Sequence, residues 1–226
     1  MYELITANRN YSSWSLRPWV LMTALGIAFR DRIEPFTKPA NYDDFRSFSP
    51  TGHVPALLHE GRTIYDSLGI TLYLADRHES VWPTDPNARA WAQCAAAEMH
   101  SGFVALRNGC TMNVGVRVRP KPMSDALKSN VARIRELFEE GLAKFGGPWL
   151  AGSEFTAVDA FFAPVAFRIR TYGLDVGAGQ AWVNHVLAHP AMLEWERQAL
   201  AESWREVGHE EELRACGAIT ADYRMG

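Results

Sequence analysis

Cysteine is scarce in this chain of 226 residues: Cys94, Cys110 and Cys216 form an odd set at wide spacing. That argues against a disulfide framework and against a cysteine-based metal site, which need paired or closely spaced thiols; no metal is expected. No apolar run approaches the roughly 18–20 residues of a bilayer span. Basic charge is short as well. Lys and Arg number 23 against 26 Asp and Glu, a net charge of −3, whereas a nucleic-acid binder usually presents a basic face. The first ten residues, MYELITANRN, have no apolar centre of the signal-peptide kind, so the expected compartment is the cytoplasm. No repeat with a period of roughly 20–50 residues is present. What is plentiful is core material: 47% of residues are hydrophobic and 12% aromatic, which fits one large or two small packed domains.

Residues 49–74, SPTGHVPALLHEGRTIYDSLGITLYL, organise the rest. Val54-Pro55 leads into a short apolar run, Ala56-Leu57-Leu58, and Glu60-Gly61 marks a turn. A second run, Thr63-Ile64-Tyr65, empties into Asp66-Ser67 and the helical pattern Leu68, Ile70, Leu72, Leu74. Two strands joined by a glycine turn and followed by a helix place backbone N–H groups at a helix start, where anions bind. Asp66 or Ser67 can cap that helix. Pro55 at the head of a strand leaves the backbone of Val54 free to pair with an extended ligand.

Upstream, the alternating run YELITA reads as a first strand. A polar loop, residues 8–15, then opens a helix through Leu16, Trp19, Val20 and Leu21 that Gly26 ends. Pro18 falls in its first turn, where a missing N–H costs little. Residues 29–36 predict a second strand and residues 41–45 a short helix. Residues 78–86, HESVWPTDP, read as a linker, after which Asp85 or Asn87 can cap. From Ala88 the composition is helical, with no proline until Pro120. Ser124-Asp125 starts another long helix, amphipathic at spacings of three and four. Thr156 and Asp159 form a capping box with Asp in place of the usual Glu, ahead of an almost wholly apolar helix. His189-Pro190 begins a further helix, and the stretch after Gly208 carries little pattern.

In this order the pieces resemble the glutathione S-transferase family, over roughly residues 2–205. The resemblance implies a thioredoxin-like α/β domain over residues 1–77, a linker over 78–86, and an all-α domain over 87–226 that contributes the electrophile pocket. It also implies glutathione as co-substrate, a small electrophilic partner, detoxification chemistry and a homodimer. In that family a cis proline after Val pairs the preceding backbone with glutathione, and an acidic-Ser pair holds its γ-glutamyl end. The matching residues are Val54, Pro55, Asp66 and Ser67, with His53 and Lys38 as further ligand contacts. The loop Ser12-Ser13-Trp14-Ser15-Leu16-Arg17 is similar to the zeta-class pattern Ser-Ser-Cys-Ser-x-Arg, with Trp14 in place of Cys. Counting back four from Arg17 selects Ser13 as the hydroxyl that supports the thiolate, while the zeta register selects Ser12. Trp14, Met99, Phe103 and Met112 are candidates for a hydrophobic pocket and equally for core.

Two alternatives stand beside a glutathione transferase. One is a non-catalytic binding protein on the same fold. The other is a zeta-like isomerase or dehalogenase, which the serine pair favours. Against it, Thr171 stands where that isomerase's substrate-binding Arg is expected, with Arg170 one place off.

Overall fold

The computed structural model describes residues 1–37 and 42–225. Its first sheet holds four strands, β1 (Tyr2–Thr6), β2 (Phe29–Ile33), β3 (Ala56–His59) and β4 (Arg62–Tyr65), in the order β2-β1-β3-β4. β1 runs parallel to β2, with Tyr2 opposite Phe29, and antiparallel to β3, with Ile5 opposite Ala56. The parallel pair needs a crossover, and α1 (Ser13–Ala24) supplies it. β3 and β4 form a hairpin whose two turn residues, Glu60 and Gly61, both have positive φ, 50° and 74°. Such turns match the twist of the strands they join. A single turn, α2 (Tyr42–Phe45), precedes the hairpin, and α3 (Ser67–Ala75) follows it.

Beyond the linker the chain is mainly helical: α4 (Pro86–Ser101), α5 (Val104–Gly109), α6 (Asp125–Phe145), α7 (Ala157–Tyr172), α8 (Gln180–Leu187), α9 (Pro190–Ala201) and α10 (Val207–Cys216). The caps expected at Asp85, Ser124 and Asp159 are made. Asp85 accepts from Ala88 N at 2.8 Å, Ser124 Oγ from Leu127 N at 3.2 Å, and Asp159 Oδ2 from Thr156 N at 3.0 Å. Thr156 occupies the reciprocal position, but its buried Oγ1 lies outside hydrogen-bond geometry. Nearly every residue of α7 is buried, and α1, α4 and α8 pack around it. The core is therefore shared between the sheet and the helices, so α1 is held on both sides.

Two features differ from the sequence reading. The helical run after Ala88 breaks at Gly102-Phe103, where Phe103 has φ 60°. A Cβ on Gly102 would stand 2.8 Å from the Glu98 carbonyl oxygen, so this close approach requires glycine. The break leaves the last α4 carbonyls without intrahelical partners, and Arg107 and Arg17 donate to them instead. The helical domain also carries a two-stranded ribbon, β5 (Val116–Pro120) paired antiparallel with β6 (Gly217–Asp222). This ribbon places the previously patternless C-terminal stretch.

Candidate functional site

Three serines open α1, and the structure divides them. The Ser12 hydroxyl donates to Ser15 Oγ at 2.7 Å, and Ser15 Oγ accepts from Ala7 N at 3.3 Å. Both are thereby committed to holding the loop against β1. Ser13 is the first residue of α1 and 7% exposed; its hydroxyl makes no hydrogen bond among the described residues. A free donor at a helix N-terminus suits a developing negative charge.

Beside this loop lies a cavity of about 340 Å³ lined by Trp14, Thr51, His53, Val54, Pro55, Asp66 and Ser67. The peptide bond between Val54 and Pro55 is cis. Val54 precedes the first residue of β3, and none of the described residues hydrogen-bonds its N–H or C=O. The backbone there is open to an extended ligand. His53 Nδ1 lies 2.7 Å from the Thr51 carbonyl oxygen, which fixes the ring at the rim.

Asp66 is the N-cap of α3 and holds φ 67°, ψ 139°. A non-glycine residue at positive φ is strained. Its side chain offsets that strain locally, since Oδ1 accepts from Leu68 N at 2.7 Å and Gly69 N at 3.4 Å. Ser67, next in line, is 1% exposed and its Oγ accepts from Arg17 Nη1 at 3.3 Å. The Ser67 N–H, an orphan donor of the first helical turn, faces no protein partner among the described residues. Together these groups place an open N–H and a hydroxyl at the helix start with a cation behind them.

Replacing Ser67 by alanine should weaken glutathione binding by about 1.5–3 kcal/mol, the worth of a hydrogen bond to a charged group. Calorimetry reads this directly, and unaltered affinity would remove Ser67 from the ligand's contacts.

The sequence-derived set is brought together in part. Trp14, His53, Val54, Pro55, Asp66 and Ser67 share one cavity. Ser12 and Ser13 lie at its side rather than in its walls. Phe103 is buried at 6% exposure within the core and does not line it. Lys38 lies outside the described residues.

Sequence reasoning missed what surrounds Trp14. Arg17, used above only to set the register, is 1% exposed, and its guanidinium carbon lies 4.2 Å from the Trp14 ring centroid. Arg107 of α5 lies over the same ring at 4.6 Å, and His100 meets its edge with ring centroids 5.3 Å apart. Burial holds the Arg17 guanidinium well below its ordinary range, and Arg107 and Arg168 add repulsion. Burial also lowers the His100 imidazole, partly offset by Asp66, whose Oδ2 is 3.7 Å from Nε2. Nothing in the local sequence marks Arg107 as facing Trp14, because the contact depends on the helix break at Gly102.

Two family models match the chain: Glutathione S-transferase, N-terminal domain, over residues 11–77, and Glutathione S-transferase, C-terminal domain, over residues 124–198. Glutathione S-transferase 1 of Dianthus caryophyllus is 25% identical over 181 residues, spanning 77% of this chain and 80% of that protein. Maleylacetoacetate isomerase of Rattus norvegicus is 25% identical over 175 residues, spanning 76% and 78% respectively. The crystal structure of a glutathione transferase homolog from Burkholderia BGR1, with bound glutathione, shares the fold. Its TM-score is 0.66 at 20% identity, over 88% of this chain and 97% of that one. Both halves of the fold are matched in order and together cover more than half of the sequence, so the chain belongs to the glutathione S-transferase family.

Proposed function

We propose that this protein is a glutathione transferase in which Ser13 stabilises the thiolate of bound glutathione for attack on a small electrophile. The observation that carries the reading is the division of the three serines. Ser12 and Ser15 are tied to each other and to Ala7, which leaves the Ser13 hydroxyl free beside the cavity that holds Val54, Asp66 and Ser67. In this reading the Val54 backbone pairs with the cysteinyl part of the tripeptide, and Asp66 and Ser67 hold its γ-glutamyl end. The sulfur then lies near the mouth of α1, where the helix dipole and a donated hydrogen bond both favour the charged form. The thiol proton leaves to solvent, and the sulfur lone pair forms the new bond to the electrophile.

If one hydroxyl does this work, Ser13→Ala should raise the apparent pKa of the bound thiol by about one unit, since a unit corresponds to about 1.4 kcal/mol. Thiolate absorbance of the complex, titrated in Ser12→Ala, Ser13→Ala and Ser15→Ala, tests it. A shift confined to Ser12→Ala would move the assignment to the zeta register, and no shift in any variant would end the thiolate role of the loop.

The isomerase alternative meets two obstacles at the position where its substrate-binding Arg is expected. Thr171 Oγ1 donates to the Asn113 carbonyl at 2.9 Å. Arg170 is engaged bidentately by Glu196, at 2.9 and 2.6 Å. Neither side chain is free to hold a substrate.

A further inference from the structure

Several buried or part-buried arginines in this chain are paired with carboxylates. Arg9 meets Asp31, Arg170 meets Glu196, and Arg224 meets both Glu210 and Asp222. Arg17 and Arg107, over Trp14, and Arg168, whose charge reaches both, have no such partner among the described residues. Arg17 Nη1 donates to Ser67 Oγ and Nη2 reaches only the Met99 carbonyl at 3.5 Å. Its Nε is buried with no partner. Arg107 donates to the carbonyls of Met99, His100 and Gly102, and its Nη1 makes no hydrogen bond among the described residues. Arg168, 4% exposed, donates to the carbonyls of Cys110 and Pro164 at 2.8 and 3.4 Å.

Asp66 is a carboxylate whose charge acts on this group, through Arg17. It is half exposed, and its Oδ1 is committed to capping α3. The C-terminal carbonyls of α4, to which Arg107 and Arg17 donate, supply roughly half a negative charge. Three guanidiniums, which stay protonated at neutral pH, thus face about one and a half compensating charges. An unpaired buried cation costs several kcal/mol, so the imbalance has a natural remedy in an anionic ligand. The γ-glutamyl carboxylate at Ser67 answers Arg17. Nothing in glutathione's expected placement answers Arg107, which is half-buried over the Trp14 ring with one terminal nitrogen open.

We propose that the acceptor side of this site takes electrophiles bearing a carboxylate, held by Arg107 against the Trp14 wall with Arg17 behind it. The proposal rests on the glutathione-transferase reading and adds the substrate class. Arg107 suits the task because its open Nη1 can donate a charge-assisted hydrogen bond to a carboxylate while Nε and Nη2 anchor the side chain on backbone carbonyls.

The test uses two acceptors that differ only in charge, a chlorodinitrobenzoate and the corresponding benzamide, each with chlorine para to the carbonyl group. In both reactions the glutathione sulfur forms a C–S bond at the chlorine-bearing carbon. The C–Cl bond then breaks and chloride leaves with the electron pair. The quantity to measure is the acid-to-amide ratio of kcat/KM, divided by the same ratio for the uncatalysed reaction. Wild-type protein should favour the acid by about tenfold or more, as a charge-assisted hydrogen bond implies. R107Q should bring the ratio back to the solution value, and R107K should keep part of the preference. A wild-type ratio equal to that in solution, or a ratio untouched by R107Q, overturns the proposal while the transferase reading stands. Turnover of neither acceptor overturns the transferase reading instead. In that event, or if R107Q does not fold, calorimetry of wild-type protein with the two preformed glutathione conjugates decides. Tighter binding of the carboxylate conjugate supports the anion subsite, and equal affinities overturn it.

Discussion

Asp159→Ala will destabilise the protein by about 3–5 kcal/mol, because it strands three buried donors at once. A capping residue alone is worth roughly 0.5–2 kcal/mol, and the sequence shows Asp159 only as a cap. In the structure its side chain is fully buried and does more. Oδ1 accepts from Leu150 N at 2.9 Å and from Trp182 Nε1 at 2.8 Å, while Oδ2 accepts from Thr156 N at 3.0 Å. The carboxylate therefore ties the start of α7 to the preceding loop and to α8. Since α7 is the helix around which α1 and α4 pack, the loss should spread to both halves of the molecule. Denaturant unfolding at neutral pH measures it, and a loss under about 1 kcal/mol, less than one orphaned donor, would refute the account.

The same residue gives a pH signature. Burial, opposed by the three donors, pushes the Asp159 carboxyl up to about 6 from an ordinary 3.8. A raised acid binds its proton more tightly folded than unfolded. Its favourable contribution is therefore full below about pH 4 and is lost as pH rises through about 6, with a slope of at most about 1.4 kcal/mol per pH unit. Asp159→Asn removes the titration and keeps one acceptor oxygen. The unfolding free energy of the wild type, less that of the Asp159→Asn variant, should accordingly fall between about pH 4 and 6, and a flat difference would contradict the assignment.

Glu202→Ala should cost about 2–4 kcal/mol, by leaving buried donors without an acceptor, and should loosen the serine loop. Glu202 ends α9 and is 6% exposed. Its carboxylate accepts from Arg9 N and from Asn10 N and Nδ2, the latter two at 3.3 Å. Further contacts fix the same turn. Trp195 Nε1 donates to the Arg9 carbonyl at 3.0 Å, and Asn10 Oδ1 accepts from Gly115 N at 3.1 Å. The Arg9 guanidinium lies 4.3 Å from the Trp195 ring centroid and pairs with Asp31. The loop that presents Ser13 is thus positioned from the helical domain as well as from the sheet that precedes it. Two readouts separate positioning from plain stability. Unfolding gives the energetic cost, and the thiolate titration of folded Glu202→Ala protein should move toward that of Ser13→Ala. Glu202→Gln, which retains an acceptor oxygen, should recover part of both. A variant with full stability and a wild-type titration would show that the loop holds itself.

Much of the cleft that Val54, Pro55, Asp66 and Ser67 line was legible because its signals are local. The turn at Glu60-Gly61, the cap at Asp66 and the helix starts at Asp85, Ser124 and Thr156 each depend on residues within a few positions of one another. The ribbon was not legible from the same kind of signal. Val116-Arg117-Val118-Arg119 does alternate, but so short a run gives a weak pattern, and its partner lies about a hundred positions later in a stretch with no pattern of its own. The helical run expected after Ala88 is interrupted at Gly102-Phe103, where Phe103 takes a left-handed φ and Gly102 lies close to the Glu98 carbonyl. Composition carries no trace of that approach.

By itself the sequence determined the order of strands and helices through α3, the hairpin that empties into α3, and most of the residue types that line one cleft. Periodicity and capping act over one or two turns of chain, so they survive in the primary structure. Tertiary structure alone decided which serine keeps a free hydroxyl, since Ser12 and Ser15 satisfy each other only when the loop folds back on Ala7. It also decided that Asp159 serves three donors and that Glu202 holds Arg9 from 193 residues away. Only in the folded chain do Arg17 and Arg107 meet over Trp14 without a carboxylate. Hydrogen-bond and charge compensation depend on partners brought together by packing, and their sequence separation leaves no local mark.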